Sequence, residues 1–246
     1  MPSDSVFHTL QENWPSDIPI ARRLFAFDEI DSTNTYALEN GESGSVILAD
    51  SQSAGRGRRG RTWFSTPGKG LWFTVVMGEP FEGLVMAAAL AVRDAIAPRH
   101  EVAIKWPNDI LGSGKKCCGI LIESQGDRTA LGIGVNVHHV AEDFPEELRE
   151  KAGSLASIFG GTWSREVLLL DILRHLDQKV MLIQQGHFEA VRKEWAQACN
   201  LIGRRISINN ESGVVEDIDH RGALQLRTSQ GTQTVFSGDI TYLNGE

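Results

Sequence analysis

The sequence predicts an α+β protein with a larger N-terminal domain and a small C-terminal β-domain. Up to Cys199, apolar stretches typical of strands are interspersed with stretches of helical periodicity. After Asn200, only short strand-like stretches separated by turn residues remain. A chain of 246 residues can bury a core of this kind. We place the domain boundary between residues 1–199 and 200–246.

The strands of the N-terminal domain are predicted from apolar and β-branched runs bounded by turn residues. In chain order they cover residues 23–30, 45–50, 71–77, 102–106, 109–111, 116–124 and 129–137. A loop rich in Gly, Arg and Ser, residues 51–69, joins the second strand to the third. A loop of that length inside a compact domain is usually functional or disordered.

The helices are predicted from capping residues, alanine content and apolar period. Residues 31–34 (Asp-Ser-Thr-Asn) offer N-caps for a short helix that ends near Gly41. Residues 84–97 are too Ala-rich for a strand and predict a largely buried helix. A longer helix begins after Ser164, and another covers residues 187–198. The longer helix carries an apolar stripe formed by Leu169, Leu173, Leu176, Val180 and Ile183.

The C-terminal domain is predicted from five short strand-like segments with turn residues between them. Their sequences are RRISIN, GVVEDID, ALQLRT, TQTVFSG and ITYL. Strands this short, without a helix between them, are typical of a small β-barrel or β-sandwich.

Charge and composition exclude several classes of protein. The formal net charge is −8, and four of the positive charges lie within residues 55–61, which argues against a general nucleic-acid-binding protein with a broad basic face. The sequence has no secretion signal and no apolar run of about 18 residues that would span a membrane. Cys117, Cys118 and Cys199 have no metal-ligand spacing and indicate a reducing cytoplasm. The adjacent Cys117 and Cys118 are predicted to face opposite sides of a strand.

Residues 55–61, Gly-Arg-Gly-Arg-Arg-Gly-Arg, are the most informative segment of the chain, and we call them the arginine loop. Three glycines leave the backbone nearly unconstrained. Arginine is permanently charged and forms paired hydrogen bonds with phosphate or carboxylate oxygens. The loop therefore predicts an anion-binding site. Taken alone, it is equally compatible with a solvated basic stretch or a weak RNA contact.

The arginine loop also fits the pattern G-x-G-x-x-G, but a Rossmann fingerprint needs a helix that starts on its glycines. Residues 61–65 run instead into Pro67-Gly68, which favours a strand or a loop. The sequence contains no P-loop, no G-x-S-x-G and no H-E-x-x-H. These absences exclude the commonest kinases, hydrolases and zinc proteases.

Three further segments carry charged residues or glycines at unusual places. Residues 105–109 (Lys-Trp-Pro-Asn-Asp) combine a cation, an aromatic ring and two short polar groups. Residues 116–121 start an apolar strand with Lys116 and place Gly119 inside it, which indicates a bulge or the close approach of a ligand. Residues 132–137 (Gly-Ile-Gly-Val-Asn-Val) repeat that pattern. Each segment alone is compatible with an ordinary strand end or turn.

Together, these segments resemble the motifs of the biotin protein ligases. The motifs are DSTN, Gln52 with GRGRRGR, KWPNDI, KCCGIL and GIGVNV, in this order and spacing. The resemblance covers residues 22–140 in detail and the C-terminal domain more loosely. It implies a catalytic domain of the biotin/lipoate ligase type, with a mixed β-sheet and flanking helices, followed by a small SH3-like β-barrel.

The resemblance implies a two-step reaction. Biotin and ATP form biotinoyl-5'-AMP with release of pyrophosphate, and the biotin then passes to a lysine of a biotin carboxyl carrier protein of acetyl-CoA carboxylase or a related carboxylase. Mg²⁺ is expected to accompany the phosphates of ATP, and no metal site formed by the protein alone is expected. The arginine loop is expected to be mobile without ligand and to order over biotin and the α-phosphate.

The resemblance also implies roles for individual residues. Lys116 and Arg58 are the implied catalytic residues, because they would stabilise negative charge on the biotin carboxylate and the α-phosphate. The implied biotin-binding residues are Ser32, Thr33, Asn34, Gln52, Arg56, Gly57, Arg58, Lys116 and Gly119. The implied residues for ATP or the adenylate are Arg58, Arg61, Trp63, Asn108, Lys116 and Asn136. Lys105 and Asp109 belong to a motif, but the sequence does not separate structural from catalytic roles for them.

The remaining expectations concern partners and rival functions. The first motif begins near Ser32, too early for an N-terminal winged helix-turn-helix of about 60 residues, so the sequence predicts a cytoplasmic ligase that binds neither DNA nor membranes. Family members often pair through sheet edges, so the resemblance also allows a homodimer. One rival is a lipoate-protein ligase, but such enzymes lack this arginine loop. The other is a non-catalytic RNA-binding module, which would leave Lys116 and the glycine-bearing strands unexplained.

Overall fold

The computed structural model of the protein describes residues 6–98 and 100–243, so the outermost ends of the two predicted domains lie outside it. Seven strands form the larger sheet. They are β1 (Arg23–Ile30), β2 (Ser45–Gln52), β3 (Gly70–Met77), β4 (Val102–Lys105), β5 (Asp109–Gly112), β6 (Lys115–Gln125) and β7 (Arg128–Asn136). Their spatial order is β1-β2-β3-β7-β6-β5-β4. The β1–β2 pair is parallel and the other pairs are antiparallel, so the predicted mixed sheet is confirmed.

Within the described residues, six α-helices accompany the sheets. They are α1 (Val6–Glu12), α2 (Thr33–Asn40), α3 (Leu84–Ile96), α4 (Leu155–Phe159), α5 (Arg165–Gln184) and α6 (Phe188–Cys199). Single 3₁₀ turns occur at Arg58–Gly60, Ala141–Asp143 and Glu146–Leu148. The sequence predicts α2, α3, α5 and α6 to within a few residues. It does not predict α1 and α4, which are too short to show a clear apolar period. None of the helices in the described ranges is both long and apolar enough to cross a membrane.

The helices cover the two faces of the larger sheet unequally. The short helix α2 packs on one face, where Ala37 meets Ile47, Val76 and Ala130. The longer helices α3, α5 and α6 pack together on the opposite face and enclose the main core. Every residue of β3 is buried, so this strand lies at the centre of the molecule. Because α2 is only eight residues long, it covers part of its face and leaves room beside it for a site.

The smaller sheet is antiparallel and has the order β11-β10-β9-β8-β12. Its strands are β8 (Arg205–Ile208), β9 (Glu211–Ile218), β10 (Leu224–Thr228), β11 (Gly231–Val235) and β12 (Thr241–Tyr242). The predicted small β-structure after Asn200 is therefore confirmed. The two sheets are joined through the buried Trp106, whose Nε1–H donates to the Gly222 carbonyl over 2.7 Å. The connection between β4 and β5 is thus also a structural link to the C-terminal sheet.

The region predicted as a long loop, residues 51–69, is more regular than its composition indicates. β2 continues to Gln52, and an isolated bridge pairs Gln52 with Ser65. A second bridge pairs Arg56 with Thr62 across the arginine loop. The segment is therefore a narrow loop whose two sides pair with each other. That it is mobile without ligand stays a prediction.

Candidate active site

One cavity of about 470 Å³ opens beside α2 on that helix's face of the larger sheet. Every residue to which the sequence gives a biotin, nucleotide or catalytic role lines this cavity. They are Ser32, Thr33, Asn34, Gln52, Arg56, Gly57, Arg58, Arg61, Trp63, Asn108, Lys116, Gly119 and Asn136. The structure therefore brings residues from distant parts of the chain to one place. Their individual roles stay predictions.

Strand register decides which residues share the cavity face, because directly paired residues of neighbouring strands point to the same side. One row across β4, β5, β6, β7 and β3 consists of Lys105, Asp109, Gly119, Gly134 and Trp72. The next row across β6, β7 and β3 consists of Leu121, Gly132 and Thr74. The glycines leave the middle of this face free of side chains, so other groups can lie directly on the sheet.

Lys116 reaches the cavity face because β6 contains a β-bulge. Ile110 of β5 lies opposite Cys118. The next residue, Leu111, lies opposite Lys116, so Cys117 is an extra residue in β6. Strict alternation from Gly119 back through Cys118 and Cys117 would turn Lys116 to the opposite face. The bulge therefore places the predicted catalytic lysine in the cavity.

The same bulge explains the two adjacent cysteines. Cys117 and Cys118 both belong to the main core, so the prediction that they face opposite sides of the strand is wrong. Strict alternation does not hold across a bulge. Burial raises the pKa of the Cys117 thiol to about 12, and burial likewise raises the pKa of Cys118 well above its ordinary value. Both thiols are therefore neutral, unreactive core groups at physiological pH.

Lys116 is held between a carboxylate and an aromatic ring. Its Nζ lies 2.7 Å from Asp109 Oδ1 and 5.2 Å from the centre of the Trp63 ring. Trp63 and Lys116 both pack against Gly119, where a Cβ would come within 2.7 Å of the Trp63 ring and 3.2 Å of Lys116 Nζ. Gly119 therefore makes room for these two side chains, and the close approach of a ligand at this position stays a prediction. The ion pair also gives Asp109 a structural role in orienting Lys116.

Arg58 of the arginine loop is a cation with little compensating charge. Its Nη1 donates to Asn108 Oδ1 over 3.0 Å. Partial burial lowers the pKa of Arg58, the neighbouring Arg59 acts in the same direction, and Asp109 opposes them. Arginine remains protonated at neutral pH even so. A lowered pKa means that the site disfavours the charged form, and an anionic ligand would reverse this.

Two further arginines of the loop contact the segment that connects strands of the C-terminal sheet. Arg59 donates to Ser237 Oγ and Arg61 to Asp239 Oδ2, each over 3.0 Å. The hydrogen bond from Arg61 lowers the pKa of Asp239, with smaller contributions from Lys105 and Arg59. Ser237 and Asp239 also line the cavity. The segment between β11 and β12 therefore closes one side of the site.

Neutral polar side chains, Ser32, Thr33, Asn34 and Gln52, line another part of the cavity. Together with the buried Thr74 beneath them, we call them the polar floor. Ser32 is the N-cap of α2 and accepts from the Thr35 amide over 3.4 Å. The amide and the hydroxyl of Thr33 lie 2.9 and 3.1 Å from Gln52 Oε1. Gln52 Nε2 in turn donates to Ser65 Oγ over 3.0 Å. Helix α2 and the base of the arginine loop are thus connected through Gln52.

Thr74 and Asn34 complete the polar floor at the centre of the sheet. The Thr74 hydroxyl is fully buried, donates to Asn34 Oδ1 over 2.6 Å and lies 2.9 Å from Thr33 Oγ1. Asn34 lies on Gly132, where a Cβ would come within 2.3 Å of its Oδ1. Asn34 Nδ2 donates to Glu123 Oε2 over 2.8 Å. A single polar network therefore runs through the floor.

The two asparagines predicted to contact the nucleotide also hold the main chain. Asn108 Nδ2 donates to the Ile120 carbonyl over 2.7 Å. Asn136 is buried, and its Nδ2 donates to the Gly153 carbonyl over 3.1 Å. Each side chain therefore shapes the cavity wall in addition to lining it.

Sequence reasoning missed Thr74, Glu123 and the C-terminal residues at the cavity. Thr74 is a lone polar residue in an otherwise apolar strand, and this was the available signal for it. Glu123 lies near the end of β6, where a charged residue is ordinary. Ser237 and Asp239 had no signal, because their contact with the arginine loop depends on how the two sheets pack.

Comparison with known proteins gives matches in both parts of the chain. Residues 26–139 match the Biotin/lipoate A/B protein ligase family, and residues 201–241 match the Biotin protein ligase C terminal domain.

Relatives and solved structures match over most of the chain. A biotin--[acetyl-CoA-carboxylase] ligase of Paracoccus denitrificans is 35% identical over 238 residues, which cover 86% of this chain and 97% of the relative. The bifunctional ligase/repressor BirA of Bacillus spizizenii is 32% identical over 241 residues, which cover 90% of this chain and 74% of the relative. The biotin protein ligase of Aquifex aeolicus in complex with biotin and ATP has a TM-score of 0.79 and 28% identity, and the match covers 90% of this chain and 99% of that chain.

Proposed function

The chain belongs to the biotin protein ligases of the biotin/lipoate A/B protein ligase family, and we propose that its cavity biotinylates a carrier protein at the expense of ATP. The observation that supports this most directly is that a neutral polar floor and a group of cations border the same cavity. Biotin has a neutral ureido ring at one end and a carboxylate at the other. The two parts of the cavity match these two ends chemically.

In the first step, a carboxylate oxygen of biotin forms a bond to the α-phosphorus of ATP, and the bond from that phosphorus to the pyrophosphate oxygen breaks. Both reactants are anions, so cations must reduce their repulsion and stabilise the charge on the five-coordinate phosphorus. We assign this role to Lys116 and Arg58, with Arg56 beside the carboxylate. Asp109 keeps Lys116 pointed into the cavity through the 2.7 Å ion pair.

The polar floor is assigned to the ureido ring of biotin, which offers two N–H donors and one carbonyl acceptor. Ser32 accepts a hydrogen bond as the cap of α2, and its own hydroxyl can donate to the ureido carbonyl. Gln52 and Thr33 supply oxygen atoms for the N–H groups. Asn34 uses its amide within the protein, so we assign it mainly to holding the floor in shape.

The nucleotide is assigned to the side of the cavity bordered by the arginine loop and the C-terminal sheet. Trp63 offers a ring beside adenine, Asn108 and Asn136 offer polar contacts to the adenylate, and Arg61 lies near the phosphates. Gly57 lets the main chain of the loop approach the ligand. Mg²⁺ enters with ATP as part of the substrate and shields the charge of its phosphates.

A binding site for Mg²⁺ formed by the protein alone does not fit the arrangement of the carboxylates. In residues 6–98 and 100–243, no group of three His, Cys, Asp or Glu side chains could hold a metal ion. Three carboxylates line the cavity: Asp109 and Asp239, which are each paired with a cation, and the exposed Glu150. The phosphate oxygens must therefore supply ligands to the ion.

In the second step, the neutral amine of an acceptor lysine attacks the acyl carbon of biotinoyl-5'-AMP, and the bond from that carbon to the phosphate oxygen breaks with release of AMP. The Paracoccus denitrificans relative is named for acetyl-CoA carboxylase. We propose that the acceptor of this chain is the biotin carboxyl carrier protein of that enzyme or of a related carboxylase.

Several further assignments are proposals of the same kind. We place the domain boundary at residues 199 and 200, supported by the end of α6 at Cys199 and by the second family match, which begins at residue 201. The buried free thiols of Cys117, Cys118 and Cys199 favour a reducing compartment, the cytoplasm. That the protein binds no DNA stays a prediction, and a homodimer stays an arrangement that the resemblance allows.

Exchange of labelled pyrophosphate into ATP tests the proposed first step. Exchange that depends on biotin is the expected result. Exchange that depends on lipoate instead would favour a lipoate-protein ligase, and absence of exchange with either acid would favour a non-catalytic protein. Transfer of biotin to a purified carrier domain, followed by mass spectrometry, then tests the second step.

A further inference from the structure

Glu123 lies next to the site but does not line the cavity, and sequence reasoning assigns it no role. It belongs to β6 and lies opposite Ala130 of β7. Ala130 packs beneath α2, so Glu123 is on the same face of the sheet as the polar floor. Its side chain is about one third exposed. Any effect of Glu123 on the reaction must therefore pass through the residues that it contacts.

One carboxylate oxygen of Glu123 joins two different parts of the site. Oε2 accepts from Asn34 Nδ2 over 2.8 Å and from Arg56 Nη2 over 2.9 Å. Asn34 belongs to the polar floor, and Arg56 is the first arginine of the arginine loop. Glu123 is thus in direct contact with both the polar floor and the arginine loop.

The contact with Glu123 sets the orientation of the Asn34 amide. Asn34 Nδ2 donates both to Glu123 and to the Leu121 carbonyl at 3.3 Å, while Oδ1 accepts from Thr74. A carboxylate can only accept hydrogen bonds, so the NH₂ group of Asn34 must face Glu123 and its oxygen must face Thr74. The Thr74 hydroxyl also lies 2.9 Å from Thr33 Oγ1, and the Thr33 amide donates to Gln52. The orientation of the Asn34 amide therefore bears on Thr33 and Gln52 as well.

The contact with Arg56 fixes the start of the arginine loop. The main chain of Arg56 pairs with Thr62, and the Gly57 amide donates to the Arg61 carbonyl over 2.7 Å. These bonds hold the two sides of the loop to each other. The short, charge-assisted hydrogen bond from Arg56 to Glu123 attaches the arginine loop to the larger sheet.

We propose that Glu123 is a positioning residue that couples the polar floor to the arginine loop, so that biotin binding and loop placement depend on the same carboxylate. The proposal rests on the assignment of biotin to the floor. It differs from the roles of Arg56 and Asn34, since Glu123 itself contacts no substrate. Glu123 orients the amide on one side and holds the guanidinium on the other.

The test compares Glu123→Gln with the full-length wild-type protein. Glutamine has the same shape but lacks the charge, and its NH₂ group cannot accept. We expect the Kd for biotin, measured by calorimetry, to rise at least about tenfold, the loss typical of a hydrogen bond to a charged group. Trypsin should also cleave faster within residues 55–61. Asp127→Asn, which removes a negative charge from the exposed turn after β6, should match the wild type in both measurements.

A double-mutant cycle tests the coupling itself. If Glu123 acts through Arg56, the effects of Glu123→Gln and Arg56→Ala on biotin affinity should sum to more than the effect of the double variant. A biotin affinity of Glu123→Gln within twofold of the wild type, or fully additive effects, would overturn the proposal. Glu123→Asp should restore part of the affinity, whereas a merely structural side chain would give unchanged affinity with a lower melting temperature.

The two levels of inference can fail separately. If the wild type binds no biotin, the proposed function is wrong, and tryptic cleavage then decides whether Glu123 holds the arginine loop. If the wild type binds biotin and Glu123→Gln binds it equally well, the function stands and the role of Glu123 is wrong. Glu123→Gln is the deciding variant because it preserves the packing of the side chain.

Discussion

The polar floor and the arginine loop border the same cavity but are built in opposite ways. The floor consists of neutral side chains of which Ser32, Thr33, Asn34 and Thr74 are buried, and its members bond mainly to each other. The arginine loop is largely exposed, and its charged side chains contact separate elements of the protein. These contacts are Glu123 on β6, Asn108 before β5, and Ser237 and Asp239 between β11 and β12.

This difference predicts how each region responds to change. Buried hydrogen bonds between neutral groups depend little on ionic strength, and their loss leaves a polar atom without a partner. Exposed ion pairs contribute little free energy and are screened by salt. Substitutions in the floor should therefore alter stability and biotin affinity at any salt concentration. Substitutions at the outer contacts of the loop should have smaller effects that disappear at high salt.

The largest effect is expected at Lys116, which lines the cavity that both regions border. Lys116→Ala should reduce the rate of biotin-dependent pyrophosphate exchange at least about 100-fold, the loss typical of removing a group that stabilises charge in the transition state. The fold should be retained, because the Lys116 side chain is partly exposed. Lys115→Ala is the matched control, since Lys115 Nζ donates to the Arg149 carbonyl outside the cavity. A near-normal exchange rate in Lys116→Ala would exclude its assigned role.

A smaller effect is expected from the polar floor. Thr74→Val keeps the shape of the side chain but leaves Asn34 Oδ1 without its donor, which should lower the free energy of unfolding by about 1–3 kcal/mol. The Kd for biotin should rise about tenfold at both low and high salt. Urea unfolding and calorimetry measure these two quantities.

Thr129→Val separates the contribution of the floor from that of a buried hydroxyl in general. Thr129 is also fully buried, but its hydroxyl lies 3.3 Å from Ser124 Oγ and away from the cavity. This variant should lose some stability and keep its affinity for biotin. Equal losses of biotin affinity in Thr74→Val and Thr129→Val would contradict the assignment of the floor to the ureido ring.

The smallest effect is expected at the outer contact of the arginine loop with the C-terminal sheet. Asp239→Asn weakens the pairing with Arg61, and both side chains are mostly exposed. An exposed pair contributes about 1 kcal/mol at most, so the KM for ATP should rise about fivefold or less at low salt and be unchanged at about 1 M salt. Steady-state kinetics at both salt concentrations measure this. Asp217→Asn is the control, because Asp217 is an exposed carboxylate that pairs with Arg192.

The direction of the Asp239→Asn effect is itself informative. A higher KM for ATP means that Asp239 holds Arg61 in place for the nucleotide. A lower KM would mean that Asp239 competes with the nucleotide for Arg61, and the contact would then restrain the loop in the wrong position for binding.

The two regions also differ in how far the sequence predicts them. The spacing of apolar residues and the positions of turn residues predict β1 to β7 and the longer helices, because burial imposes a repeating pattern on each element. The floor residues Ser32 to Asn34 and the arginines of the loop are recognisable from their motifs. Thr74 and Glu123 are not, because their role depends on which strands are neighbours and in which register. Asp239 depends on the packing of the two sheets, which no local pattern encodes.

The β-bulge at Cys117 makes the local shape of β6 part of the site. Lys116 and Gly119 are three positions apart in the chain and share the cavity face only because the bulge interrupts regular alternation. Deletion of either cysteine would leave them two positions apart, and a regular strand would then keep both on the cavity face. Replacement of either cysteine by alanine would keep the count and leave Lys116 where it is. The two cysteines are therefore expected to tolerate a change of identity, and a one-residue gap at this point in a related sequence is expected to replace the bulge by a regular strand with the lysine still in the cavity.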